Sequence, residues 1–172
     1  MIIVDTGLTY AVPTILIAAM TGISNEHNRN EYISITPVQA SWLGSISSLV
    51  QPFGSLLSAF ITDSLGRKLS MILVNIPYAL GWFMIHQGDA IWKILTGCAS
   101  FGLGIGLMEA PIITYLGEIC EPSTRGVLVS LSFISVTIGT FLGFFLNTMM
   151  SWRTLALVCL SCPIITAIAI CF

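Results

Sequence analysis

The chain has 172 residues, of which 8% are charged and 55% hydrophobic, with 6 Lys+Arg against 8 Asp+Glu. Its mean hydropathy is +0.93. Ordinary soluble domains carry about 25% charged residues, so this composition excludes a water-soluble globular domain and a disordered chain. It also excludes a nucleic-acid binder, which needs a basic patch. The solvent that such a chain fits is a lipid bilayer.

A membrane helix needs about 20 mostly apolar residues, and the stretches between charges supply six of them. The expected spans are 2–20, 41–61, 69–87, 91–117, 127–149 and 153–172. The first starts almost at Met1, with neither the basic region nor the small-residue cleavage site of a signal peptide, and reads as shortened at its front. The connections are short except 21–40, a polar loop ending at Thr36-Pro37, a helix-start signal. Pro13, Pro52, Pro77 and Pro163 fall within spans, where proline kinks a helix. Trp42, Trp82, Trp92 and Trp152 all fall on one side of a six-span topology, as an interfacial aromatic belt would. Lys and Arg divide evenly between the two sides and do not orient the chain.

Small residues at four-residue spacing let membrane helices approach closely. The fourth span carries Gly102-x-x-x-Gly106 and the fifth Gly139-x-x-x-Gly143. The second carries Gly44-x-x-x-Ser48 and Gly54-x-x-x-Ser58. Cys98, Cys120, Cys159, Cys162 and Cys171 lie in or beside apolar runs. Cys159-Leu-Ser-Cys162 has a metal or redox spacing, but no histidine lies near it, so inert thiols and no metal are expected. His27 and His86 are the only histidines. No hydrolase or metalloprotease motif is present, and Gly102-x-Gly104-x-Gly106 lies inside a span rather than at a strand-to-helix turn, so no enzyme and no cofactor are expected.

Two loops on the side opposite the tryptophans concentrate charge. In the first, Asp63 sits at the C-terminal end of the second span, the wrong end of the helix dipole for a carboxylate, and Gly66 suits the tight turn before Arg67 and Lys68. In the second, Glu118 ends the fourth span and Arg125 opens the fifth, both misplaced by dipole. Charges of opposite sign at neighbouring helix ends favour pairing, so Asp63, Gly66, Arg67, Lys68, Glu118, Arg125 and Gly126 form a candidate latch. Glu109 lies deeper, where an ionisable group faces the bundle or water. Asp5 reads as a charge beside the inner interface rather than a proton-coupling acid. Gln51 and Thr137 are candidate ligand contacts by depth and polarity.

These loops resemble the signatures of the sugar-porter branch of the major facilitator superfamily. The stretch Ala59-Phe-Ile-Thr-Asp63-Ser64-Leu-Gly66-Arg67-Lys68 is similar to that family's G-x-x-x-D-R-x-G-R-R/K loop. Tyr115-Leu-Gly-Glu118-Ile119, followed by Arg125-Gly126, is similar to its P-x-Y-x-x-E-x…R-G junction. The texture Gly106-Leu-Met-Glu109-Ala-Pro111-Ile-Ile-Thr-Tyr115, with Gln39-Ala-Ser-Trp42 and Trp152-Arg153, resembles the insect facilitated trehalose transporters within that branch. The chain departs from the pattern at Ala59 and Ser64, at Pro111, at Cys98 (where the family has an arginine) and at Phe133 (where hexose carriers have a sugar-binding glutamine).

The resemblance implies an all-α membrane protein whose six-helix bundle corresponds to one half of the major facilitator fold. The family has twelve spans in two halves, so this chain is expected to be the N-terminal half, and its partner the missing C-terminal half or a second six-helix unit. The implied function is sugar transport, of trehalose or a hexose, by alternating access in the plasma membrane, with loop 21–40 extracellular and the latch cytoplasmic. The alternative is a non-transporting regulatory or scaffold protein built on the half-bundle.

Overall fold

The computed structural model describes residues 2–21, 35–119 and 125–171, with side chains throughout except at 2, 65, 67, 109–119, 125 and 171. Six helices follow in order: α1 Ile2–Met20, α2 Pro37–Leu65, α3 Arg67–His86, α4 Ile91–Ile119, α5 Arg125–Met149 and α6 Trp152–Cys171. All six are long and apolar enough to cross a bilayer. The helix α2 opens at Pro37 rather than at residue 41, so the preceding loop stops short of residue 40. Thr36 sets this start through a capping box: its hydroxyl accepts from the Gln39 N–H at 3.4 Å, and its own N–H donates to Gln39 Oε1 at 2.9 Å. Proline at the first helical position gives up no hydrogen bond. Hydrophobicity alone places the start later because Gln39 and Ser41 are polar. Residues 22–34, including His27 and Arg29, lie outside the described residues.

The helices alternate in direction, and the two most extensive crossings, α2 with α4 and α1 with α5, join helices that run the same way. Along α2 and α4 the contacts advance together: Gly102 lies against Ser47, and Gly106 against Gln51 and Gly54. Ser47 Oγ donates to the Cys98 carbonyl at 2.9 Å across this crossing. Along α1 and α5, Gly139 lies against Val4 and Gly7, and Gly143 against Leu8 and Ala11. There Thr140 Oγ1 donates to the Gly7 carbonyl at 3.0 Å. Exchanging α1 with α4 and α2 with α5 maps one crossing onto the other. The bundle is therefore an inverted repeat of three helices, the internal symmetry found within transporter halves. Of the predicted small-residue pairs, Gly102/Gly106, Gly139/Gly143 and Gly54/Ser58 are packed, whereas Gly44 and Ser48 are exposed.

The core lies between α1, α3, α4 and α6. Tyr78, Trp82 and Ile85 of α3 meet Ile94, Cys98 and Phe101 of α4 and Leu155 and Cys159 of α6. Trp82 sits edge-on to Phe101, with ring centroids 4.8 Å apart. The tryptophans thus divide. Trp42 and Trp92 are 50% and 73% exposed, as belt residues are, but Trp82 and Trp152 are 1% and 2% exposed and belong to the core. All four lie at the same end of the bundle, because α2, α4 and α6 begin where α3 ends. Only 11% of the spanning parts of α2 and α5 is buried, against 61% for α1. Each of these two helices leaves most of its surface uncovered by the rest of the bundle.

Candidate functional site

A cleft of about 210 Å³ opens between α1 and α2. From α1 come Thr9, Tyr10, Pro13, Thr14 and Ile17; from α2 come Gly44, Ser47, Ser48 and Gln51; Ile105 of α4 closes the floor. Three features make it receptive to a hydrogen-bonding solute. The hydroxyls of Thr14 and Ser48 have no hydrogen-bond partner among the described residues, whereas Ser41 and Ser45 donate back to their own helix at 3.1 and 2.8 Å. Proline carries no N–H, so Pro13 and Pro52 deprive the carbonyls of Thr9 and Ser48, four residues earlier, of their helical donor. The ring of Tyr10, 48% exposed, and the side chain of Ile17 supply apolar surface beside these polar groups. Ligand pockets commonly reach about 300–1,000 Å³, so this cleft has the size of part of a site.

Its position follows from the pattern of α2. Leu43, Ser47, Gly54 and Ser58 form the packed stripe. Trp42, Leu49, Phe53, Leu56 and Phe60 form an exposed apolar stripe. Ser41 and Ser45 lie between the exposed stripe and the cleft, and Ser48, at the helical spacing of the same face, lines the cleft.

Of the two residues proposed from the sequence as contacts, Gln51 lines the cleft. Thr137 does not: it is exposed on α5, and its hydroxyl donates to the Phe133 carbonyl at 3.0 Å. Phe133 is also exposed. Thr9, Thr14 and Ser48 are missed by sequence reasoning. The available signal was the proline four residues after Thr9 and after Ser48.

Asp5 is not at an interface. It is 2% exposed and accepts from Trp82 Nε1 at 3.3 Å. Beside it, Thr6 Oγ1 lies 3.1 Å from the Tyr78 hydroxyl and donates to Met108 Sδ at 3.2 Å. Asp5 shares a face of α1 with Val12, Leu16 and Ala19, all buried, and that spacing is visible in the sequence.

At the predicted latch, Gly66 adopts φ 75°, a left-handed conformation that favours glycine. Its N–H donates to the Thr62 carbonyl at 3.2 Å, and its own carbonyl accepts from Ser70 Oγ at 2.7 Å. Asp63, Lys68 and Gly126 are exposed. The side chains of Arg67, Glu109, Glu118 and Arg125 lie outside the described residues.

The opposite end carries a cluster that the sequence reading did not single out. Arg153, opening α6, pairs with Asp89 at 3.3 Å and donates to the Gly88 carbonyl at 3.0 Å. Its guanidinium lies 4.9 Å from the Trp152 ring centroid. His86 Nδ1 lies 3.1 Å from the Arg153 carbonyl, and Lys93 reaches Asp89 at 3.5 Å. The turn between α3 and α4 is thereby fastened to the head of α6. Asp89 is 70% exposed, so the ion pair contributes no more than about 1 kcal/mol. The bond to the Gly88 carbonyl adds about 1–2 kcal/mol. Arg153→Ala is expected to lower the melting temperature in detergent by about 2–6 °C, and Asp89→Asn by less.

Six bilayer-length helices in an inverted three-plus-three repeat, with a polar cleft between α1 and α2, define a multi-pass membrane protein of the transporter type. A family model described as sugar (and other) transporter matches residues 1–172. The chain belongs to this sugar transporter family, a family of transporters and not of enzymes.

Bovine (Bos taurus) solute carrier family 2, facilitated glucose transporter member 8, is 32% identical over 133 residues, covering 77% of this chain and 28% of the relative. Human (Homo sapiens) facilitated glucose transporter member 6 is 32% identical over 131 residues, covering 76% and 26%. Facilitated trehalose transporter Tret1 of Polypedilum vanderplanki is 28% identical over 136 residues, covering 79% and 27%. The chain spans about a quarter of the length of these relatives. The crystal structure of a D-xylose-proton symporter matches with a TM-score of 0.68 at 16% identity, over 98% of this chain and 46% of the symporter. The bundle is thus one half of the major facilitator fold.

Proposed function

We propose that the chain is the N-terminal half of a plasma-membrane sugar carrier that takes trehalose or a hexose by alternating access, together with a second six-helix unit. The α1/α2 cleft carries this reading. Its free hydroxyls and proline-released carbonyls offer donors and acceptors to a polyol, and Tyr10 offers a flat apolar face. The cleft borders α2, most of whose surface is uncovered, so a second unit docking against α2 would close it. The relatives whose names specify glucose or trehalose support the substrate class.

In this reading Gln51 contacts sugar, and Thr137 faces the second unit from α5. Asp63, Gly66, Arg67, Lys68, Glu118, Arg125 and Gly126 form the chain's share of a cytoplasmic latch. The reading is supported by the described helix ends: α2 and α4 end, and α3 and α5 begin, at the end of the bundle opposite the Arg153–Asp89 cluster. Each latch bond contributes about 1–3 kcal/mol, enough to bias two states without freezing either.

Uptake of labelled trehalose and glucose into vesicles holding the chain tests the proposal. Flux above empty vesicles, lowered about tenfold or more by Glu118→Gln or Arg125→Ala, is expected for loss of a charged hydrogen bond. Absence of flux alone and with a co-expressed second six-helix unit contradicts it and favours a scaffold role.

A further inference from the structure

Several glycines of this bundle mark helix crossings. A Cβ added at Gly7, Gly54, Gly102, Gly106 or Gly139 would collide with the backbone of a neighbouring helix, so those positions are small because helices cross there. Gly44 differs. It belongs to the same kind of four-residue repeat, yet an added Cβ would meet only the Ile17 Cδ1 atom, at 3.9 Å, an ordinary contact with a flexible side chain. Helix packing therefore does not explain the absence of a side chain at Gly44. What lies in front of it is the α1/α2 cleft, which it lines one turn from Ser48 and opposite Ile17.

We propose that Gly44 sets the size of the sugar the cleft admits: with no side chain there, the space beside the Thr14 and Ser48 hydroxyls stays open to a second pyranose ring. The inference rests on the cleft being the sugar site and adds which residue discriminates a disaccharide from a monosaccharide. A side chain at position 44 projects into the cleft, and its Cβ meets no atom of α4 within 4 Å, so the α2/α4 crossing is left in place. It narrows the cleft from its wall, so the larger ligand is excluded first.

The test is equilibrium binding of radiolabelled trehalose and glucose to the full chain in lipid nanodiscs, for wild type, Gly44→Ala and Gly44→Val, with melting temperatures measured alongside. The expected result is wild-type melting for both variants. Trehalose binding falls progressively, by about tenfold or more at valine, while glucose binding changes by less than about threefold. If wild type binds both sugars but the variants lose them in equal proportion, or lose neither, the role of Gly44 is overturned while the sugar site stands. If wild type binds neither sugar, the reading of the cleft fails and takes this inference with it. If Gly44→Val melts early or does not fold, Gly44 is a packing residue and the proposal is overturned.

Discussion

Gly106→Val is expected to abolish the folded bundle. In the α2/α4 crossing Gly106 lies directly on the Gln51 carbonyl, and an added Cβ would also fall 2.7 Å from the Ser55 nitrogen and 2.9 Å from the Gly54 carbonyl carbon. All three obstacles are backbone, so no rotamer change relieves them, and α2 would have to move away along its length. The reciprocal position, Gly54, is obstructed in turn by the backbone of Leu103, Gly106 and Leu107. Small residues at such crossings let backbones touch where no hydrophobic force drives helices together in lipid. Overpacking a core costs about 1–3 kcal/mol, and here a rigid crossing is forced apart, so the loss is expected above that range. Size-exclusion chromatography of detergent-solubilised protein checks this: the variant is expected to aggregate, while Gly126→Val, with nothing within 4 Å of an added Cβ, elutes as wild type.

Trp82→Ala is the second large effect. The side chain is 1% exposed, packs edge-on to Phe101 and donates its indole N–H to Asp5. Truncation opens a cavity against Val12, Leu16 and Leu155 and removes the one donor described for the Asp5 carboxyl. A buried tryptophan cut to alanine costs about 3–5 kcal/mol, and a buried acceptor left without its donor adds about 1–3 kcal/mol. Trp82→Phe keeps most of the volume but not the donor, and is expected to fall between. Trp92→Ala, at a side chain 73% exposed to the bilayer side, is expected to stay within about 0.5 kcal/mol of wild type. Thermal unfolding in one detergent, with the four proteins in parallel, orders them.

Span number and family were legible because both depend on strong, local signals. Long uncharged runs mark spans, and two charged loops at the right separation mark the family. What the sequence left hidden depends on which helix face meets which neighbour. Trp82 and Trp152 sit at the depth of an interfacial belt, so depth alone assigned them to it, but rotation about α3 and α6 turns them inward. Asp5 carries a charge and reads as a boundary until its face, shared with Val12 and Leu16, is known. Arg153 and Asp89 are 64 residues apart in sequence, and only the meeting of α3 with α6 shows that they pair. In the cleft, Gln51 stood out by chemistry, whereas Thr14 and Ser48 are ordinary hydroxyls in span segments. Their value comes from what the two prolines do to the backbone beside them.

The claim on which the rest depends is that α1 and α2 part to leave a wet, solute-accepting cleft reached from the end that holds Asp89. Single substitution of Ser48 by cysteine, followed by reaction with a membrane-impermeant maleimide added to one side of oriented vesicles, tests it most directly, with wild type and Phe53→Cys as baselines. Modification of Ser48→Cys from the Asp89 side, slowed by added trehalose or glucose, with Phe53→Cys unreactive, is the predicted outcome. A Ser48→Cys protein as inert as Phe53→Cys, or one modified only from the side of Asp63, would contradict it.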